Sequence, residues 1–119
     1  MVKAVHELCA AEAVPLLHAG KITAEELVRA CLDRIASEDG PLGAFEHVDP
    51  AAALAQARRV DAMSPRPPLA GLPVGVKDII DTADLPTECG FGGWRRRRPD
   101  RDAALARRPR RARAGGGRA

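Results

Sequence analysis

A chain of 119 residues has room for one small domain, and its 45% hydrophobic share leans on alanine, with two phenylalanines, one tryptophan and no tyrosine. The net charge of +3 joins two unlike parts: residues 1–94 carry eight Lys/Arg against fourteen Asp/Glu, residues 95–119 eleven arginines against two aspartates. Three scattered cysteines without a CxxC pair argue against a disulfide framework or a zinc site. Charge comes too early in the N-terminus for a secretory leader, and no apolar run nears the roughly 20 residues that cross a bilayer, so a soluble, cytoplasmic protein is expected.

Residues 3–19 read as a helix, with Val5, Leu8, Cys9, Leu16 and Leu17 as its apolar stripe and Gly20 as its stop. Pro15 marks a kink or a break in it. Thr23 to Glu26 spells a capping box, flanked by Ile22 and Leu27 at the staple positions. The helix it opens places Leu27, Val28, Cys31, Leu32 and Ile35 on one face, and Asp39-Gly40-Pro41 predicts a turn after it. Residues 44–48 alternate like a short strand. Asp49 followed by Pro50 predicts an N-cap and first helical position, for a helix over 50–63 carried by Ala53, Leu54, Ala57 and Val60.

The proline-rich stretch 64–68 reads as a stiff linker into a buried strand over 72–77, where Val74 and Val76 alternate with Gly75. Lys77 stands at the end of that strand. Burial disfavours an ammonium and can lower a lysine pKa by up to roughly 3–5 units. Proteins obtain in this way a neutral amine that can take a proton from a serine hydroxyl. On its chemistry alone, however, a strand-end lysine more commonly reaches solvent. From Ala106 onward only Ala, Arg, Pro and Gly occur, and Pro109 ends any helix within a turn of Leu105.

The run Leu69-Ala-Gly-Leu-Pro-Val-Gly-Val-Lys-Asp-Ile-Ile-Asp-Thr-Ala-Asp-Leu-Pro-Thr-Glu-Cys-Gly90 resembles the lysine-bearing segment of the amidase signature family. Pro73, Lys77, Asp78, Asp81, Pro86, Thr87 and Gly90 are all in register with it, and the order of elements matches the family's N-terminal portion over about residues 5–105. The resemblance implies an α/β class: residues 1–105 would be the N-terminal part of an α/β/α fold, helices plus one or two strands of a mixed sheet. Residues 106–119 would be a disordered arginine-rich tail.

It also implies hydrolysis or transfer of a small-molecule amide by a Ser-cisSer-Lys triad, with Lys77 as the catalytic lysine and neither metal nor organic cofactor. In the family both serines lie downstream of the lysine. Here Ser37 and Ser64 are the only serines, both precede Lys77, and neither has the glycine neighbours that shape a nucleophile turn. The expectation is therefore an inactive fragment, truncated or frameshifted after about residue 105, since a G/C-rich gene read out of frame yields the alphabet of the tail.

Asp78 is expected to cap the turn that follows it rather than to support the lysine. Cys89 reads as a partly buried loop thiol, Cys9 and Cys31 as small hydrophobes, and His6, His18 and His47 as surface residues. A second reading rests on the tail: a non-enzymatic basic-tailed module that binds nucleic acid or an anionic surface, with Trp94 adding a stacking face.

Overall fold

In the computed structural model the residues described are 3–108. The first predicted helix is two pieces. A 3-10 turn, Val5–Glu7, precedes α1, Ala10–His18. The break falls at Leu8 and Cys9, where Glu12 reaches back to accept the Cys9 N–H at 2.8 Å, and Glu7 does the same for Ala4 at 2.9 Å. These reciprocal carboxylates open a new helix at Ala10. Pro15 lies inside α1 without ending it. The carbonyl it deprives of a partner belongs to Ala11, which is exposed and open to water.

Helix α2, Ala24–Leu42, begins where the capping box places it: Thr23 Oγ1 accepts the Glu26 N–H at 3.0 Å and Glu26 accepts the Thr23 N–H at 2.7 Å. It does not end at the predicted turn. Gly40 and Pro41 are taken into its last turn, and the helix stops at Gly43, which adopts φ +59°. Asp39 supplies the reason. Its carbonyl accepts the Gly43 N–H at 2.7 Å, and its carboxylate accepts those of Ala44 at 2.8 Å and Phe45 at 3.2 Å. Helix α3, Pro50–Asp61, follows with Asp49 accepting the Ala52 N–H at 2.9 Å and proline at its start.

The core is small. Ala13 and Leu17 of α1, Ala24, Leu27 and Val28 of α2 and Ala57 of α3 are its buried residues, with Val5, Leu8, Cys31, Leu54 and Leu72 packed around them. Alanine at three of the six positions lets the helices approach closely, but buries little apolar area per residue.

Polar contacts between distant residues tie this bundle. Asp61, at the end of α3, accepts the Ala24 N–H at 2.8 Å and the Glu25 N–H at 3.0 Å, the first two free amides of α2. Arg66 lies 3.5 Å from the same carboxylate and donates to the carbonyls of Leu17 at 2.8 Å and Asp61 at 3.1 Å. The chain then passes over α1 and α2 at Gly71, whose φ is +94° and where a Cβ would stand 3.1 Å from Ala24 Cβ and 3.3 Å from the Leu17 methyls. Only glycine fits there.

The expected α/β fold is not found. Among the described residues there is helix, 3-10 turn and loop, and no strand: residues 44–48 and 72–77 belong to neither helix nor strand. A strand exists only through the ladder it makes with a neighbour, and among residues 3–108 neither of these two segments forms such a ladder. Residues 104–108 form a last helical stretch, with Ala106 buried. The first residues assigned to the tail, 106–108, thus belong to a helix, and the rest of that assignment lies outside the described residues. Among these residues no helix is long and apolar enough to cross a membrane.

Candidate active site

Lys77 is exposed, at the mouth of an open groove of about 520 Å³. One wall is the loop after α2, with Phe45 and His47; the other is the segment 75–90, with Asp78, Pro86 and Cys89. Among the described residues the Lys77 ammonium has neither a hydrogen bond nor an ion pair. Water reaches it from the groove, as it reaches most lysines at the end of an extended segment.

The residues after Lys77 form a compact, strapped loop. The Ile80 N–H donates to the Lys77 carbonyl at 2.9 Å and turns the chain at once. Asp78 then works at longer range than a local cap: its carboxylate accepts the N–H groups of Glu88 at 2.9 Å and Gly90 at 3.3 Å, which bends residues 86–90 back beside the lysine. Cys89 and Gly90 both have positive φ, +55° and +67°, and the Phe91 N–H donates to the Glu88 carbonyl at 3.0 Å. That is the pattern of a tight turn with two left-handed central residues. Glycine takes this conformation freely, whereas cysteine takes it at a steric cost of roughly 1–2 kcal/mol.

Asp81 makes the second strap. Its carboxylate meets both terminal nitrogens of Arg97, at 2.8 and 3.3 Å, and the Arg97 guanidinium holds its pKa below the usual carboxylate value. Its carbonyl accepts the Ala103 N–H at 2.8 Å. The Thr87 N–H donates to the Arg97 carbonyl at 2.9 Å, and Thr82 and Thr87 are buried to 2% and 1% exposure beneath these contacts. Asp78, Asp81 and Thr87 of the motif therefore shape the loop, and Lys77 keeps an unpartnered ammonium at the groove among the described residues.

The serines stand elsewhere. Ser37 is exposed on α2 and donates to the Arg34 carbonyl at 3.1 Å, Ser64 is exposed in the linker, and neither lines the groove. The hydroxyl among the groove's lining residues belongs to Thr82, which is buried. The arrangement offers an amine, a carboxylate occupied by backbone amides, and a half-buried thiol. It contains no activated hydroxyl. Among the described residues no cluster of His, Cys, Asp and Glu could hold a metal ion.

The wall made by residues 44–47 is loop where the alternation predicts a strand, and its role at the groove has no sequence signal. Nothing in the local pattern links it to a lysine thirty residues on; the link is the long α2 terminus, fixed by Asp39.

Comparison with known proteins gives a consistent result. The family described as Amidase matches residues 26–115. The chain is 44% identical over 112 residues to a glutamyl-tRNA(Gln) amidotransferase subunit of Salinispora arenicola, covering 88% of this chain and 22% of that protein. It is 44% identical over 93 residues to the subunit of the same name from Nocardia farcinica, covering 71% and 19%. Among solved structures it is similar to a chain of an inhibitor-bound vestigial protein complex bearing on the evolutionary origins of an s-triazine catabolic enzyme. There the TM-score is 0.82 at 28% identity, over 88% of this chain and 24% of that one. The chain spans about a fifth of the length of the curated relatives it matches.

Proposed function

The chain belongs to the amidase family, and from that premise we propose that it is the lysine-bearing part of a Ser-cisSer-Lys enzyme that hydrolyses or transfers small-molecule amides. Lys77 is the base of that triad. Its neutral amine draws a proton through the bridging serine while the nucleophilic serine attacks the amide carbonyl, ammonia or an amine leaves, and the acyl-enzyme passes to water or to ammonia. The serines, the oxyanion donors and the cover that desolvates the lysine come from parts of such an enzyme that these 119 residues do not include.

The observation that supports this reading best is the free Lys77 ammonium at an open groove, followed by a loop that Asp78 and Asp81 hold in shape. By itself the chain is expected to turn over no amide. The test joins residues 1–105 to the remainder of the Salinispora arenicola protein. Turnover of an amide by that chimera should fall by on the order of 10³ or more in Lys77→Ala. Turnover by the 119-residue chain alone, or a chimera indifferent to Lys77→Ala, would overturn the proposal.

A further inference from the structure

Beyond the lysine groove, the loop closed by Thr87 and Arg97 carries a different surface. Phe91 and Trp94 meet edge to face, with centroids 6.1 Å apart and planes at 86°, yet the two residues stay 61% and 46% exposed. The Arg97 guanidinium lies 5.1 Å from the centre of the Trp94 ring and is tethered to Asp81, so the indole is fixed in place. The backbone N–H of Trp94 donates to the Phe91 carbonyl at 2.8 Å and that of Arg97 to the Trp94 carbonyl at 2.8 Å, which stiffens the loop under both rings.

Positive charge predominates beyond this ledge: residues 95–108 carry seven arginines against Asp100 and Asp102, and the Glu88 carboxylate is taken up by the Arg96 N–H at 2.6 Å. Arg95, Arg96, Arg98, Arg101, Arg107 and Arg108 are all exposed. The guanidinium of Arg98 donates to the Asp84 carbonyl at 3.1 Å, and those of the other five have no carboxylate partner among the described residues. Exposed aromatic rings held rigidly amid unpaired guanidinia are the two parts of a surface for single-stranded nucleic acid: rings stack on bases and arginines neutralise phosphates.

We propose that the Phe91–Trp94 ledge and its flanking arginines form a docking surface for single-stranded nucleic acid. It owes nothing to Lys77 and stands apart from the amidase reading. An anionic membrane also takes up exposed aromatic rings beside arginines, but it needs no fixed ring orientation; an indole held by Arg97 on a hydrogen-bonded loop is what a base-stacking platform requires, which is why the strand is favoured.

Trp94 is the chain's one tryptophan, so its emission reports stacking directly. Titration of the full chain with an oligothymidylate of about 12 nucleotides should quench it. The log–log salt slope should be about −3.5, five phosphates at about −0.7 each. Phe91→Leu with Trp94→Leu, which has no tryptophan and is followed by the anisotropy of an end-labelled strand, should weaken the oligothymidylate on the order of tenfold and leave a duplex of equal length unaffected. Arg95→Gln with Arg101→Gln and Arg107→Gln should flatten the slope by about 2. Both the quench and the single-strand preference should survive Arg110→Gln, Arg111→Gln, Arg113→Gln and Arg118→Gln together. An unquenched indole, equal binding to the duplex, or binding to phosphatidylserine vesicles instead of the oligonucleotide would overturn the proposal.

Discussion

Two carboxylates decide how the helices are joined. Asp61 closes the first amides of α2 from the end of α3 and carries Arg66 with it. Asp61→Ala would leave two helix amides without their acceptor and the Arg66 guanidinium, still held by two carbonyls, without its counter-charge, a loss of about 2 kcal/mol read as a lower urea midpoint. Glu25 acts at the surface. The guanidinia of Arg58, 2.8 Å away on α3, and Arg29, 2.7 Å away on α2, bring its pKa down from 4.5 to about 2. Because the folded value lies below the unfolded one, its contribution is complete above the ordinary carboxylate range and is lost as pH falls from about 4.5 through about 2. The thermal midpoint of Glu25→Gln should therefore lie below that of the parent at pH 6, and the gap should close as pH approaches 2. Added salt should narrow it at pH 6, since these groups are exposed.

Among the elements, those the sequence foretold are those fixed by near neighbours. The Thr23 box and the Asp49-Pro50 start each involve groups three residues apart, and both helices begin where those signals lie. The predicted turn at Asp39-Gly40-Pro41 failed because Pro41 deprives only Ser37, an exposed residue, of a hydrogen bond, while Asp39 binds amides beyond the helix end. That gives a direct test. Asp39→Ala should speed amide exchange at Ala44 and Phe45 by on the order of tenfold, one lost hydrogen bond of about 1 kcal/mol or more. Exchange at Leu27 and Val28 should be unchanged. Unaltered exchange at residues 44–45 would mean that the helix end is held by something other than this carboxylate.

At the scale of the molecule, the consequence of lacking a sheet is exposed apolar surface. Val74, Val76 and Ile79 face solvent around Lys77, and Leu105 and Phe91 add to it. Segments of alternating valine with unpaired backbone groups invite pairing with another copy. Sedimentation should accordingly show a mass that rises above the monomer's with concentration, and Val74→Lys with Val76→Lys should abolish the rise. A monomer at all concentrations would show that these side chains are not adhesive in this setting.

The sequence alone carried the family, because the register of Pro73, Lys77, Asp78, Asp81, Pro86, Thr87 and Gly90 is a linear pattern, and the match over residues 26–115 rests on that same linear information. It also carried the helix starts, which depend on contacts within one turn. What depends on residues far apart was settled only in three dimensions. Asp61 reaches α2 across 37 residues, Arg66 reaches Leu17 across 49, and Asp78 spans ten to Glu88. The strand over 72–77 was misread for the same reason. Alternation records which side chains suit a sheet, but pairing with a neighbouring strand makes one, and among residues 3–108 no strand pairs with it.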